Sequence, residues 1–498
     1  MEGFYQNDMK KINRILIANR GEIACRVIRT ARKMGIETVA VYSDVDRDAP
    51  HVVYADKAIH IGPAPASQSY LVVEKIISAA KESGADAIHP GYGFLSERSV
   101  FAKACKDAGI IFIGPGEEAI DIMGNKIAAK TAVSKYDIPL VPGTAEPLTD
   151  KSAAASIAKE IGFPVLIKAA AGGGGKGMRI VYKEKEILDQ VDRAVSEAKS
   201  AFGDGAVFIE KYVTSPRHIE VQILADQHGH IIHLNERECS IQRRHQKVVE
   251  EAPSPMMTPE LREKIGQDAI NVARSCNYVG AGTVEFIMNH DNNYYFLEMN
   301  TRLQVEHPIT EAITGVDLVE QQIRIAQGEH LSIQQEDVKC EGHAVELRIY
   351  AEDPRQGFVP SIGHLEVYQP PSHPDVRVDD GYREGMDVPI YYDPMLSKLI
   401  TYSDSRQSAI SAMKKAIQEY RVVGVETTLS FGTYVCDHPV FLSGTYDTHF
   451  VENHYNAEDD DKVLSGKEAL LAKMALQAFL DKKQVLSTPL QGPSQWSR

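Results

Sequence analysis

The sequence predicts a protein of mixed α/β and α+β class, with an open parallel sheet at its N-terminal end and a β-rich C-terminal end. Short apolar runs alternate with helical stretches over residues 1–124, which is typical of a parallel sheet with crossover helices. Residues 125–340 mix helical segments with strands of alternating pattern, and short strands dominate residues 341–455. The length of 498 residues fits about three domains of roughly 150 residues each.

The composition excludes several classes of protein. Hydrophobic residues make up 43% and charged residues 25%, so the chain has enough apolar material for real cores. The net charge of −15 argues against binding to nucleic acid or to an anionic membrane, since both need clustered basic charge. The six cysteines form no Cys-x-x-Cys pair, the N-terminus is polar, and no apolar run is long enough to span a bilayer. We therefore expect a cytoplasmic protein.

The N-terminal elements begin with an apolar strand at residues 14–18 and a helical pattern through Arg32. Further strands are predicted at 38–42, 87–89 and 110–113, and this part ends near Gly124. The turn after the first strand reads Ala-Asn-Arg-Gly-Glu-Ile and lacks the Gly-x-Gly-x-x-Gly pattern. A dinucleotide-binding oxidoreductase is therefore disfavoured.

A run of four glycines, followed by Lys176 and Gly177, stands between predicted strands at 165–168 and 178–182. A flexible linker is the plain alternative, but linkers rarely join two strands in this way. The pattern favours a hairpin whose mobile tip covers phosphate groups, with Lys168 at the strand end within reach of them. It is not a Walker A loop, because Gly177 stands where a Ser or Thr should bind magnesium.

A second hairpin is predicted from strands at 282–288 and 294–300, with its turn at Asp291-Asn292. This register places Glu285 directly opposite Glu298, about 5 Å apart at Cβ. Two carboxylates at that distance repel each other unless a cation lies between them, and magnesium with nucleotide phosphates is the natural candidate.

The second strand of this hairpin is predicted to continue to residue 306. Side chains alternate along a strand, so one face would carry acid, amide, guanidinium, amide and acid groups in turn. These residues are Glu298, Asn300, Arg302, Gln304 and Glu306. A solvated edge strand is the alternative, but an arginine between two carboxylates favours an active-site floor that grips an anion beside a metal.

A basic cluster, Ile-Gln-Arg-Arg-His-Gln-Lys-Val, occupies residues 241–248. In an acidic protein, such a run indicates a small-anion pocket more than a nucleic-acid patch. Short polar motifs at 209–213 and 216–222 precede it. His218 in the second motif is a candidate ligand, because it accompanies other polar groups; alone it would be interpreted as a structural histidine.

The C-terminal elements are strands at 344–350 and 365–368 and a helix at 406–421. Beyond the acidic residues 458–461, a capping-box pattern at 465–468 and an apolar stripe predict a docking helix, and the last ten residues are expected to be disordered. The stripe consists of Leu471, Met474, Ala475 and Ala478.

Taken together, these residues resemble the biotin carboxylase family within the ATP-grasp superfamily. The matching blocks are residues 15–24, 89–97, 242–253 and 298–308, and the resemblance covers residues 13–451. The motif Tyr-Tyr-Asp-Pro-Met-Leu-Ser-Lys at 391–398 is similar to the biotin carboxylase parts of acyl-CoA carboxylases. The resemblance implies an N-terminal domain at 1–124, an ATP-grasp domain at 125–340 with a mobile lid at about 141–212, a C-terminal domain at 341–455 and a tail at 456–498.

The resemblance also implies roles for individual residues. The ATP site would comprise Lys126, Lys168, Gly172, Gly173, Gly174, Gly175, Glu210, Lys211, Val213, His218, Gln242, His245 and Ile287. Glu285, Glu298 and Asn300 would hold Mg²⁺ or Mn²⁺. Lys247, Arg302, Gln304 and Val305 would hold bicarbonate. Glu306 would be the general base, Arg348 would stabilise the biotin enolate, and Tyr92 would lie near the biotin ring. Lys176 stands where some relatives have Arg; because either side chain can contact a phosphate, the implied role of the loop is unchanged.

The implied activity is ATP-dependent carboxylation of biotin through carboxyphosphate, the first half-reaction of an acetyl-CoA or propionyl-CoA carboxylase, with a link to fatty acid biosynthesis. Fused carboxylases carry biotin on the Lys of an Ala-Met-Lys-Met turn. This chain has Ala-Met-Lys-Lys at 412–415, within a helical pattern formed by Ile410, Met413, Ile417 and Tyr420. We therefore expect Lys414 to be a solvated helix residue and biotin to be attached to a separate biotin carboxyl carrier protein. The other expected partners are a carboxyltransferase subunit and a second copy of the chain.

Two alternatives remain open from the sequence. Another ATP-grasp ligase, joining a carboxylate to an amine, would share the nucleotide residues but would not need the pair Glu306 and Arg348. A catalytically inactive regulatory or scaffold subunit is the other, although every expected catalytic position is filled.

Overall fold

The computed structural model describes residues 10–144, 146–148, 151–169, 178–202 and 205–456. The predicted glycine tip at Gly172, Gly173, Gly174 and Gly175 lies outside the described residues, as does the predicted tail helix with Leu471. The described part agrees with the predicted class: a parallel sheet at the N-terminal end, a central region of helices and antiparallel strands, and antiparallel strands towards the C-terminus.

The N-terminal strands form a parallel sheet in the order β3-β2-β1-β4-β5, as far as the described residues show. Ile15, Leu16 and Ile17 are fully buried on the central strand, as expected where helices cover both faces of a sheet. The strands are β1 (Arg14–Ile17), β2 (Glu37–Ser43), β3 (Lys57–Gly62), β4 (Ala87–His89) and β5 (Ile111–Phe112). The helices are α1 (Gly21–Lys33), α2 (Pro50–Tyr54), α3 (Val73–Ser83), α4 (Ser99–Asp107) and α5 (Glu117–Gly124).

This strand order places the switch point of the sheet between β1 and β4. Chain connections leave the sheet in opposite directions there, which opens a crevice at the carboxyl ends of the two strands. The crevice is bordered by the turn after β1, which contains Asn19 and Glu22, and by the segment after β4, which contains Tyr92. The N-terminal sheet therefore contributes one wall of a cavity.

The central region contains a small sheet and most of a large one. The helices are α6 (Lys126–Val133), α7 (Ala154–Ile161), α8 (Ile187–Phe202), α9 (Pro259–Ser275), α10 (His307–Thr314) and α11 (Leu318–Ala326). The strands are β6 (Val165–Ala169), β7 (Met178–Val181), β8 (Val207–Lys211), β9 (Arg217–Ala225), β10 (Ile231–Arg243), β11 (Gln246–Ala252), β12 (Gly280–Met288) and β13 (Tyr294–Asn300). Strands β7, β6 and β8 pair antiparallel in that order and pack on α7 and α8, so the predicted hairpin at the glycine run is confirmed at its two strands.

The C-terminal strands extend the large sheet. The strands are β14 (His343–Tyr350), β15 (Glu352–Asp353), β16 (Val359–Pro360), β17 (Gly363–His364), β18 (Val367–Gln369), β19 (Val376–Asp380), β20 (Asp387–Val388), β21 (Met395–Ser403) and β22 (Arg421–Val423). The helices are α12 (Arg406–Glu419), α13 (Leu429–Asp437), α14 (Pro439–Leu442) and α15 (Phe450–His454). The large antiparallel sheet runs β13-β12-β9-β10-β11-β14-β21-β19 and thus joins the central region to the C-terminal one.

The ends of several predicted elements differ from those in the structure. The first helical segment of the central region, α6, ends at Val133 and is followed by a single 3₁₀ turn, and Asp137 then adopts a left-handed conformation with φ of 55°. The strand predicted at 365–368 is found at Val367–Gln369, and the helix predicted at 406–421 ends at Glu419. Such shifts at element ends are the common error of pattern reading.

The surface of the described chain agrees with two further expectations. On α12, Ile410, Met413 and Ile417 are buried, while Lys414 lies on the outer face and contacts Asp437. All six cysteines are described, and each is a free thiol. Within the described residues, no helix is both long and apolar enough to cross a bilayer.

Candidate active site

A cavity of about 710 Å³ lies where the three parts of the chain meet. The N-terminal sheet contributes its two crevice segments, the large sheet contributes β9, β10, β11, β12 and β13, and the C-terminal part contributes β14 and the segment before β21. The predicted site residues in its wall are Tyr92, His218, Gln242, His245, Lys247, Glu285, Glu298, Asn300, Arg302, Gln304, Val305 and Arg348. Residues that lie up to 256 positions apart in the sequence, Tyr92 and Arg348, thus face one space.

The predicted carboxylate pair lies on adjacent strands of this wall. Glu285 on β12 pairs directly with Glu298 on β13, as the sequence predicts. Among the described residues, the side chain of Glu298 makes neither an ion pair nor a hydrogen bond, and burial together with the Glu285 charge raises its pKa. Burial also opposes the charge of Glu285, but Lys247 and His218 lower the pKa of that carboxyl far below its ordinary value. One carboxylate of the pair is therefore firmly ionised and the other lacks a cation.

These side chains fit a divalent cation. Carboxylate and amide oxygens are the ligands that Mg²⁺ prefers. A divalent cation bound between the two carboxylates would balance the negative charge of Glu298, which has no cationic partner of its own among the described residues. Asn300 lies next to the pair, because its Nδ2 atom donates to Oε1 of Glu285 at 2.9 Å. Nε2 of His218 approaches Oε2 of Glu285 to 3.0 Å from the neighbouring strand β9.

Lys247 on β11 contacts three carboxylates. Its ammonium donates to Glu220, to Oε1 of Glu285 at 2.9 Å and to Oε1 of Glu306 at 2.7 Å. Burial opposes its charge, but these carboxylates raise the pKa of Lys247 well above its ordinary value. The residue is therefore a fixed cation that joins the carboxylate pair to Glu306.

Glu306 is held from two sides. Its Oε1 atom accepts from Lys247, and its Oε2 atom accepts from Nη2 of Arg348 at 2.9 Å. Although its side chain is fully buried, Lys247, Arg348 and Arg237 lower the pKa of Glu306 well below its ordinary value. A buried, ionised carboxylate is thus presented beside the cavity.

The predicted continuation of β13 to residue 306 is wrong. The strand ends at Asn300, the last residue paired with β12, and residues 301–306 leave the sheet. Glu306 is instead the N-cap residue of α10, which has Pro308 in its first turn. The residues predicted for one strand face still meet, because Nη2 of Arg302 donates to Asn300 and Nε2 of Gln304 donates to Glu285 at 3.1 Å.

The residues predicted to bind ATP divide into two groups. Gln242 and His245 lie at the β10–β11 hairpin, where Arg244 and His245 both have positive φ, and they border the cavity. His218 on β9 borders the cavity as well. The second group does not line the cavity formed by the described residues; its members are Lys126, Lys168, Glu210, Lys211, Val213 and Ile287.

Within that second group, Lys168 on β6 donates to Glu210 on β8. Glu210 also accepts a hydrogen bond from Nζ of Lys130 on α6, at 2.6 Å from its Oε1 atom. The Lys211 ammonium is bonded to the backbone oxygens of Gly162 and Phe163, so it supports the small sheet.

Several residues of the site were not predicted from the sequence. They are Lys130, Glu220, Arg237 and Glu250. Glu220 follows His218 by two positions on β9 and so shares its face, a signal that was present in the motif at 216–222. Arg237 is fully buried and donates to Glu220, Gln222 and Thr310, and Glu250 holds Nε of Arg348 at 2.6 Å.

Three family models match successive parts of the chain. They are the biotin carboxylase N-terminal domain over residues 11–120, the ATP binding domain of the carbamoyl-phosphate synthase L chain over 125–334, and the biotin carboxylase C-terminal domain over 346–453.

Individual proteins are similar over most of the chain. The propionyl-CoA carboxylase alpha chain of Ruegeria pomeroyi is 53% identical over 463 residues, which cover 89% of this chain and 68% of that protein. Biotin carboxylase 1 of Bacillus subtilis is 50% identical over 444 residues, which cover 89% of this chain and 99% of that one. The chain thus spans about two thirds of the alpha chain.

A solved structure is similar over the same extent. The biotin carboxylase domain dimer of the Hydrogenobacter thermophilus 2-oxoglutarate carboxylase, in complex with MgADP, ADP and bicarbonate, is 47% identical and superimposes with a TM-score of 0.82. The match covers 89% of this chain and 98% of that chain.

Proposed function

This chain belongs to the biotin carboxylase family, and on that premise we propose that it carboxylates biotin with bicarbonate and ATP, releasing ADP and phosphate. The observation that supports this best is the position of Glu306, an ionised carboxylate held by Lys247 and Arg348 beside a cavity that also holds a carboxylate pair suited to a metal. A ligase of this kind needs a base, an anion site and a metal site within reach of one nucleotide.

The carboxylate pair is the proposed binding site for the metal. We assign Glu285 and Glu298, with Asn300 beside them, to Mg²⁺ or Mn²⁺. A cation held there neutralises charge on the nucleotide phosphates. Lys126, Lys168, Glu210, Lys211, Val213, His218, Gln242, His245 and Ile287, together with the glycine run at 172–175, are assigned to ATP.

The anion site accounts for bicarbonate. Lys247, Arg302, Gln304 and Val305 line the cavity and are assigned to bicarbonate. Of these, Lys247 bonds directly to Glu306. Glu306 then accepts the proton of bicarbonate as an oxygen of that ion attacks the γ-phosphorus and ADP leaves. The resulting carboxyphosphate breaks down to carbon dioxide and phosphate, and the fixed positive charges of Lys247 and Arg302 meet the charge that develops.

The biotin side of the cavity is assigned to Arg348 and Tyr92. The Arg348 guanidinium bridges Glu250 and Glu306, so one of its nitrogens can face biotin while Nε stays anchored. That charge suits an enolate formed on the ureido ring.

The assembly is also part of the proposal. We assign the biotin to a biotin carboxyl carrier protein, with a carboxyltransferase subunit completing an acetyl-CoA or propionyl-CoA carboxylase, as in fatty acid biosynthesis. A homodimer in the cytoplasm is the expected state. The domains are assigned to residues 1–124, 125–340 with a lid at about 141–212, and 341–455, followed by a tail at 456–498.

The test is ADP release by the purified chain with Mg-ATP in buffer freed of bicarbonate. We expect release to require added bicarbonate and to rise with free biotin. The variant Lys414→Met, on the outer face of α12, should behave as the wild type. Absence of a biotin effect, with stimulation by an amine or another carboxylate instead, would favour a different ATP-grasp ligase.

A further inference from the structure

Lys398 on β21 is a fully buried lysine at the end of the motif at 391–398, and none of the roles proposed above involves it. Its ammonium donates to the backbone oxygen of Val305 at 2.9 Å. Val305 lies in the segment of residues 301–306, which has left the sheet and carries Arg302, Gln304 and Glu306. The contact therefore reaches the backbone immediately before Glu306.

The strand register relates Lys398 to Arg348. Lys398 is the direct cross-strand partner of Arg348 on β14 and of Asp379 on β19, so the three side chains project from the same face of the sheet. Arg348 holds the carboxylate of Glu306, while Lys398 holds the carbonyl of the preceding residue. Two neighbouring cations thus fix two consecutive residues.

The Lys398 ammonium also has carboxylate partners from other parts of the chain. Oε2 of Glu22, in the first turn of α1, lies 3.3 Å from it, and Oδ2 of Asp379 lies 3.8 Å from it. The other oxygen of Glu22 accepts the hydroxyl of Tyr92. The N-terminal, central and C-terminal regions therefore meet at one buried charge.

Fold stability alone does not account for this arrangement. Buried ion pairs give little net stabilisation, because desolvation offsets most of the attraction, and apolar side chains of similar volume often serve as well. Residues 301–306, however, have left the sheet. Although Gln304 and Glu306 accept backbone bonds from His307 and Ile309, the Val305 carbonyl between them needs another contact to fix its peptide plane. Lys398 supplies that contact at the residue next to the base.

We propose that Lys398 is a positioning residue for bicarbonate activation: its bond to the Val305 carbonyl fixes the end of the 301–306 segment and thereby the direction of the Glu306 carboxylate. Glu22 and Asp379 hold the ammonium in place. This inference rests on the proposed function, since it assigns Lys398 to the same reaction.

The kinetic test uses Lys398→Met, which keeps an unbranched side chain of nearly the same length but removes the donor. We expect the KM for bicarbonate to rise by about 10-fold or more while the KM for ATP stays within about 2-fold of the wild type. The matched control is Arg26→Met, which removes a buried cation from the same interface between α1 and the central region but leaves residues 301–306 untouched. A merely structural role would lower kcat or thermal stability in both variants and leave the KM for bicarbonate unchanged, which would overturn the proposal.

A second measurement does not depend on activity. Amide hydrogen exchange in residues 301–307 of the free protein should be faster in Lys398→Met and unchanged in Arg26→Met. Equal exchange in Lys398→Met and the wild type would overturn the positioning role. If the wild type shows no bicarbonate-dependent ADP release, the proposed function fails, and the exchange result still decides whether Lys398 orders this segment.

A second variant tests the proposal in case Lys398→Met does not fold. Lys398→Gln is one bond shorter and neutral, so it keeps a polar group at this position but removes the ammonium that bonds to the Val305 carbonyl. The same rise in the KM for bicarbonate and the same faster exchange are expected. Wild-type values for both would contradict the proposal.

Discussion

The Nη2 atom of Arg348 lies 2.9 Å from Oε2 of Glu306, although the two residues are 42 positions apart in the chain. The pair joins the C-terminal strand β14 to the N-cap of α10, and Lys247 approaches the other oxygen of the same carboxylate. Two cations therefore keep Glu306 ionised and oriented before any substrate is bound. This relationship makes the separate roles of the base and of its two cations testable.

Glu306→Gln is expected to lower bicarbonate-dependent ADP release by about 10²–10⁴-fold, because the amide cannot accept the bicarbonate proton. The change is nearly isosteric, and Lys247 and Arg348 keep their other carboxylate partners, Glu285 and Glu250. Nucleotide affinity, measured by equilibrium titration with Mg-ADP, should stay within a few-fold. Bicarbonate-dependent release that stays within about 10-fold of the wild type would remove Glu306 from the role of base.

Arg348→Met is expected to abolish the stimulation of ADP release by free biotin and to spare most of the release seen with bicarbonate alone. Arg348→Lys should restore little, because a single ammonium cannot bond Glu250 and Glu306 as the guanidinium fork does. The ratio of rates with and without biotin is the measurement.

The control for this prediction is Arg262→Met, which breaks an arginine–glutamate pair with Glu236 away from the cavity. Its ratio should equal that of the wild type. A normal biotin effect in Arg348→Met would contradict the assignment of Arg348 to biotin.

The sequence is sufficient to predict the register of the β12–β13 hairpin. Alternation along both strands and a turn at Asp291-Asn292 together place Glu285 opposite Glu298, and the structure confirms this pairing. The pattern also continues to residue 306, yet the strand does not. Asn300 pairs with Thr283, and residues 301–306 turn away from the sheet although β12 extends back to Gly280. What ends the strand is therefore the set of contacts outside it, such as those of Glu306 with Lys247 and Arg348. That information is not local to the segment.

Of all the contacts in the candidate site, those of Lys247 are the hardest to predict from the sequence. Its partners Glu220, Glu285 and Glu306 lie 27, 38 and 59 positions away, on two other strands and at a helix start. No spacing rule connects such positions. They meet because β11, β9 and β12 share one sheet with the order observed here, and that order is set by packing of the whole region.

Lys247→Met is expected to reverse the effect of pH on the stability that Glu285 and Glu306 contribute: in the variant these carboxylates should destabilise the fold as the pH rises. In the wild type the folded-state pKa values of Glu285 and Glu306 lie below the ordinary value of 4.5, so these groups add stability above that pH and lose it as the pH falls through their folded values. Without Lys247 the buried carboxylates repel each other and their pKa values rise. The thermal midpoint of the variant should then fall further below that of the wild type as the pH increases from about 4.5 to 8, by several degrees. A constant difference across this range would show that the cluster does not act through these charges.

Glu298→Gln is expected to stabilise the metal-free protein at neutral pH. Burial and the Glu285 charge raise the pKa of Glu298, so the carboxyl favours folding below its ordinary pKa and opposes folding as the pH rises through the raised value. The variant should therefore melt higher than the wild type at pH 7–8 in EDTA, with the gain vanishing towards pH 4.5. Activity should need about 10–100-fold more Mg²⁺, because one ligand has lost its charge. The exposed Glu74→Gln on α3 serves as control, and an unchanged Mg²⁺ requirement in Glu298→Gln would exclude Glu298 as a metal ligand.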